Sequence, residues 1–129
     1  MFIKINHHIK LSILILSTII LLSSCSSQKS QFKTFLKCGI AASQLEQYEA
    51  EKQIGIKLEK WARETQYDLS PREMSFLAQE VRDEMGIYGI NSFEQFEIYV
   101  KTFNSSKCRK IHGQKKFELS NLMNDIFSN

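Results

Sequence analysis

Three cysteines, a late histidine and a cluster of carboxylates are the side chains of this 129-residue chain with chemistry to offer. Cys25, Cys38 and Cys108 are of a type that attacks, ligates metal or pairs, and spacing and compartment decide among these. No two of them form a CxxC. His112 stands beside Gly113 among lysines and arginines, where it reads as a solvated loop histidine and not as a buried catalytic base. Glu80, Asp83 and Glu84 have helical spacing, but Arg82 lies among them and Val81 and Met85 mark the core side, so they read as a charged solvent face. No glycine-rich phosphate loop, nucleophile elbow or metal-binding histidine pair is present. The expectation is a protein with no catalytic residues, no cofactor and no metal, and so not an enzyme.

The cysteines separate once the N-terminus is read. MFIKINHHIK carries Lys4 and Lys10 without an acid, and LSILILSTIILL, from Leu11 to Leu22, is almost wholly apolar. A helix needs about 20 residues to cross a bilayer, so this run is short for a permanent span and suits a secretory signal. The next residues, Leu22-Ser23-Ser24-Cys25, resemble the lipobox of bacterial lipoproteins, an aliphatic and two small residues before a cysteine. The resemblance implies cleavage after Ser24 and acylation of Cys25 as the new N-terminus. Stable anchoring takes two lipid signals, and a fully acylated cysteine exceeds that. The competing readings are an ordinary signal peptide with a serine-rich cleavage region and an uncleaved anchor. Ser26 follows the cysteine; in enteric-type bacteria an Asp there signals inner-membrane retention, so the expected site is the outer membrane, facing the periplasm, with the inner membrane the alternative.

Residues 1–24 are therefore read as a cleaved signal peptide, 25–31 as a lipidated tether, and 32–129 as the periplasmic domain. Removing 24 of 129 residues leaves 105, and since both lost charges are lysines, 17 bases and 14 acids become 15 and 14. SSQKSQ, from Ser26 to Gln31, is polar and lacks periodicity, as a short tether would. Disulfides form and persist in the periplasm, so Cys38 and Cys108 are expected to pair; free thiols or half a metal site find little support.

Within the domain, helical periodicity dominates. Phe35, Cys38, Ala42 and Leu45 recur at spacings of three and four, as do Ile54, Leu58, Trp61 and Ala62. At 100° per residue the second set is rotated from the first by roughly 120 to 150°. Either the helix breaks near Glu49–Gly55 or its halves face different neighbours; the reading adopted is one long helix, bent or frayed near Gly55. In YDLSPREMSFLAQEVRDEMG, Ser70 is a natural N-cap, Pro71 suits the first helical position and Glu73 completes a capping box. Leu69 and Met74 stand as a hydrophobic staple, Met74, Leu77, Ala78, Val81 and Met85 form the buried stripe, and Gly86 ends the helix. Asn91 or Ser92 caps another helix with a seam of Phe93, Phe96, Val100 and Phe103. Cys108 begins a short turn or helix, and Leu119, Leu122, Met123 and Ile126 form a last amphipathic one. No segment alternates as a strand. The expected fold is all-α, a small bundle of four or five helices with one disulfide.

Charge is polarised along the chain. Gln44–Glu97 holds twelve acids against six bases, whereas Lys101–Lys116 holds six bases and no acid. Lys107, Arg109, Lys110, Lys115 and Lys116 thus form a candidate basic contact patch for anionic lipid or an acidic partner. The simpler expectation is that they neutralise the acidic helices of their own fold. Phe93, Phe96, Tyr99 and Phe103 are mainly core candidates; if exposed, they would line a groove for an amphipathic partner helix. An envelope location disfavours nucleic acid as a partner.

Taken together, the lipobox, the pair Cys38 and Cys108 and the stretch YDLSPREMSFLAQEVRDEM resemble the pilotins of type II secretion, small helical outer-membrane lipoproteins. That resemblance implies binding of a short helix at a secretin subunit's C-terminus. The broader expectation is a lipoprotein that binds an envelope protein or assists envelope assembly. Its alternatives are an exclusion or immunity lipoprotein and a purely structural one.

Overall fold

The computed structural model of the chain describes residues 27–119, which are helical without strands. Cys25, and Leu122, Met123 and Ile126 of the expected last helix, lie outside the described residues. Helix α1 covers 27–44, so residues 27–31 are helical where an irregular tether was expected. The domain itself forms a compact unit from Phe32 onward. Among the described residues, no helix is long and apolar enough to cross a membrane.

The long helix expected from Phe32 to Gln66 is two helices, α1 and α2 (Tyr48–Thr65). The break falls at residues 45–47, ahead of Gly55, which lies in the uninterrupted interior of α2. Its cause is a left-handed Glu46 at φ 54°. The Gln47 N–H then reaches Ala42 O at 2.9 Å and the Glu46 N–H reaches Ser43 O at 3.1 Å, the bond pair of a Schellman cap. α2 ends in the same way at Gln66, φ 53°, with the Tyr67 N–H on Ala62 O at 3.0 Å. The rotation between the two apolar faces is thus accommodated by a tight turn, and the faces meet. Phe32 and Phe35 of α1 pack with Trp61 of α2 and Tyr67 beyond it, ring centroids 5.2 to 6.2 Å apart. Ala41 and Ala42, fully buried, let the backbones approach.

Helix α3 (Pro71–Met85) has the boundaries its sequence dictates. The Ser70 hydroxyl accepts the Glu73 N–H, the Glu73 carboxylate accepts the Ser70 N–H at 2.9 Å, and Gly86 closes the helix at φ 67°. The Ser70 hydroxyl, which also donates to the Glu73 carboxylate at 2.6 Å, and then the Ser70 N–H hold the Glu73 carboxyl below its usual range. Leu77 and Val81 are buried and Ala78 and Met85 half-buried, but Met74, at 38% exposure, stands outside the expected stripe. One turn into the helix, it precedes the point where α3 meets the core.

Asn91 caps α4 (Ser92–Phe103) by accepting the Glu94 N–H at 3.0 Å, and Ser105 caps α5 (Ser106–His112) by accepting the Cys108 N–H. Gln95 Nε2 donates to the carbonyls of Ile87 and Ile90, which fixes the α3–α4 loop. A disulfide joins Cys38 of α1 to Cys108 of α5, with Cα atoms 5.3 Å apart. α5, only seven residues long, is too short to persist alone and is held by this bond and by packing on α2 and α4.

Candidate functional site

Four aromatic residues of α4 were expected either to pack or to form a groove, and they do not share one face. Phe103 and Tyr99 are buried in the core. Phe96 is half-buried edge-on to Phe117, centroids 6.1 Å apart. Phe93 is 67% exposed, so it drops out of the expected seam. A helix-binding groove made of these four is therefore not formed, because the helix period divides them between core and solvent. Phe76 and Tyr88, also exposed, flank Gln79 on the outer side of α3, where the Tyr88 hydroxyl lies 3.4 Å from Gln79 Oε1.

His112 corrects the expectation of a solvated loop histidine. It ends α5, is 2% exposed, and stacks on Phe103 with centroids 4.2 Å apart and planes 13° from parallel. Its Nδ1 accepts the Gln114 N–H at 3.0 Å, so Nε2 carries the proton and donates to Phe103 O at 3.1 Å. That carbonyl lies in the last turn of α4, where no intrahelical partner exists. His112 thus caps one helix while ending another. Nearby, Asn104 donates through Nδ2 to Phe117 O at 2.9 Å and accepts the Phe117 N–H at 2.7 Å. The chain between, carrying Lys115 and Lys116, is held at both ends.

The carboxylates on α3 divide. Asp83 stays on the solvent side with Gln79, whereas Glu80 and Glu84 reach α1: Lys33 contacts both, at 2.7 Å for Glu80, and Lys37 lies 2.7 Å from Glu84. The two ammonium groups, Lys33 first, pull the Glu84 carboxyl down to about 2 from 4.5, and Glu80 then Glu84 raise Lys33. Because the folded value of Glu84 is the lower, its stabilisation is complete above about pH 5 and fades as the pH falls from 4.5 towards 2. The Glu84 side chain is 39% exposed, so solvent screening limits the contribution to about 1 kcal/mol or less. Glu84→Gln is expected to flatten part of the acid limb of stability, read as a smaller fall in urea midpoint between pH 6 and pH 3 than in the wild type; an unchanged fall refutes the assignment. Lys33 acts at the other extreme, its contribution being lost as pH rises through its raised value.

The basic segment forms no ion pair with the acidic helices among the described residues. Lys101, Lys107, Arg109, Lys110, Lys115 and Lys116 are all exposed, and among the described residues the ion pairs lie elsewhere, between α1 and α3 or along α2. The Lys110 carbonyl accepts from Lys57 Nζ at 3.2 Å, an added cation rather than a counter-charge. Beside the disulfide is an open cavity of about 350 Å³, lined by Lys37 of α1, Lys101 and Thr102 of α4, Ser105 of the turn, and Lys107 of α5. Lys37, Thr102 and Ser105 were not among the residues singled out from the sequence. The signal that would have found one of them is local: Lys37 and Lys107 each immediately precede a bonded cysteine, so pairing the cysteines pairs the lysines.

No group of three or more His, Cys, Asp or Glu side chains that would hold a metal occurs among the described residues. No protein-family model, curated protein or solved structure is significantly similar to the chain.

Proposed function

We propose that the protein is a bacterial envelope lipoprotein, acylated at Cys25, whose helical domain holds a protein partner at the periplasmic face of the outer membrane. The observation that carries the reading is the placement of Leu22-Ser23-Ser24-Cys25 at the end of a twelve-residue apolar run, with six residues between Cys25 and Phe32, where the compact unit starts. The Cys38–Cys108 bond supports it, since such bonds persist in an oxidising compartment. The exposed Phe76 and Tyr88 beside Gln79 supply an apolar surface of the kind that protein partners cover. The amphipathic helix of a secretin would be one such partner, docking there and not on the α4 aromatics.

Mass spectrometry of the mature chain is expected to find Cys25 at the N-terminus with its acyl groups; a retained leader, or cleavage elsewhere without lipid, overturns the anchor. A photo-crosslinking residue at Phe76 is expected to trap a defined envelope protein in cells, while one at Lys60, on the solvent side of α2, traps none. Equal, diffuse labelling from both positions overturns the partner reading.

A further inference from the structure

The cavity beside the disulfide has a composition that neither the fold nor the proposed anchor requires. Three lysines converge on it from three elements, and no acidic residue lines it. Lys37 pairs with Glu84, whereas Lys101, on whose other side Glu94 and Glu97 line a second cavity, and Lys107 form no ion pair among the described residues. Ser105 Oγ accepts from the Cys108 backbone and keeps its own O–H for donation. Ammonium groups and hydroxyl donors around an open, partly apolar pocket match a phosphoryl oxygen better than a carboxylate-rich protein surface, since each oxygen accepts several short charge-assisted bonds.

Arg109, Lys110, Lys115 and Lys116 extend the positive charge beyond the pocket, and the Asn104–Phe117 bond pair keeps the last two in place. Cys38 lies six residues into the compact unit, about 9 Å along a helix, so the disulfide pins the cationic segment near the end from which the chain leads to Cys25. The six intervening residues reach at most about 20 Å when extended. The basic surface is therefore kept within a few screening lengths of a bilayer.

We propose that this pocket binds the headgroup phosphodiester of an anionic phospholipid, with Lys101 and Lys107 as the principal contacts and Thr102 and Ser105 as hydroxyl donors. The choice of a lipid over a soluble phosphoester rests on the lipoprotein reading; the phosphate chemistry of the pocket does not.

The test uses the mature chain as purified from cells, in zwitterionic detergent, titrated with the soluble short-chain lipid dihexanoyl phosphatidylglycerol and followed by amide NMR shifts. Saturable shifts are expected in Lys101–Cys108 and Thr34–Cys38, with weaker or no response to dihexanoyl phosphatidylcholine. The double variant Lys101→Glu, Lys107→Glu should weaken binding by roughly tenfold or more, and Lys101→Gln, Lys107→Gln by less, with the Cys38–Cys108 bond and the helical circular dichroism of both retained. Response to inorganic phosphate but not to phosphatidylglycerol overturns the lipid assignment. No response to either, or binding indifferent to the variants, overturns the site. The probe is soluble, so the result stands whether or not Cys25 proves to be acylated.

Discussion

Replacing Cys38 and Cys108 together with alanine is expected to lower the unfolding free energy by roughly 4 kcal/mol, the chain-entropy value for a loop closed over 70 residues. In a domain of this size such a loss lowers the melting temperature by about 15 to 30 °C. Alanine is the informative replacement, because both positions are buried and a serine hydroxyl would add a desolvation cost of its own. Either single variant should cost nearly as much as the double, since one missing sulfur already opens the loop; additive losses would show that the two side chains act through separate packing instead. The damage should also be local. α5 has seven residues and draws its order from the bond and from α2 and α4, so amide exchange should accelerate first between Lys101 and Phe117. Urea unfolding midpoints and hydrogen exchange on the oxidised, reduced and substituted chains decide the matter. A midpoint unchanged by reduction would remove the disulfide from the account of stability.

That bond was legible because, once the N-terminus is read as a secretory signal, an even pair of remaining cysteines has few other uses. α3 was legible for a different reason: Ser70, Pro71, Glu73 and Gly86 each specify a backbone geometry within four residues of themselves, and local rules suffice there. The end of α1 was not. Glu46 takes a left-handed conformation normally left to glycine or asparagine, and no glycine or proline marks the turn. The rotated apolar faces of 35–45 and 54–62 did record the break, while Gly55, the only glycine between Leu45 and Gln66, drew the reading to the wrong residue. The aromatic run on α4 misled in the same manner: density in sequence is not density on a face, and a 3.6-residue period parted Phe93 from Phe103. His112 was misjudged because its neighbours Lys110, Gly113 and Lys115 are polar or flexible, whereas the residues that bury it are set by tertiary structure. The cationic pocket needed the same long-range information, since Lys37 and Lys107 are adjacent only once the cysteines pair.

His112 carries the second large effect. His112→Ala removes a ring that is 2% exposed and stacked on Phe103, and leaves the Phe103 carbonyl and the Gln114 N–H without their partner. The lost packing and the stranded polar groups together should cost about 3 kcal/mol or more. His112→Phe separates the two contributions: it keeps an aromatic ring against Phe103 but offers no donor or acceptor, so its cost should reflect the polar groups alone, about 1 to 3 kcal/mol. Both variants release the turn that follows Gly113 and so should loosen Lys115 and Lys116, seen as faster exchange at Gln114 and Phe117 while α3 stays protected. Equilibrium urea denaturation supplies the energies. If His112→Ala unfolds within about 0.5 kcal/mol of the wild type, the imidazole is not what ties α4 to α5, and its burial would have to serve some purpose other than stability.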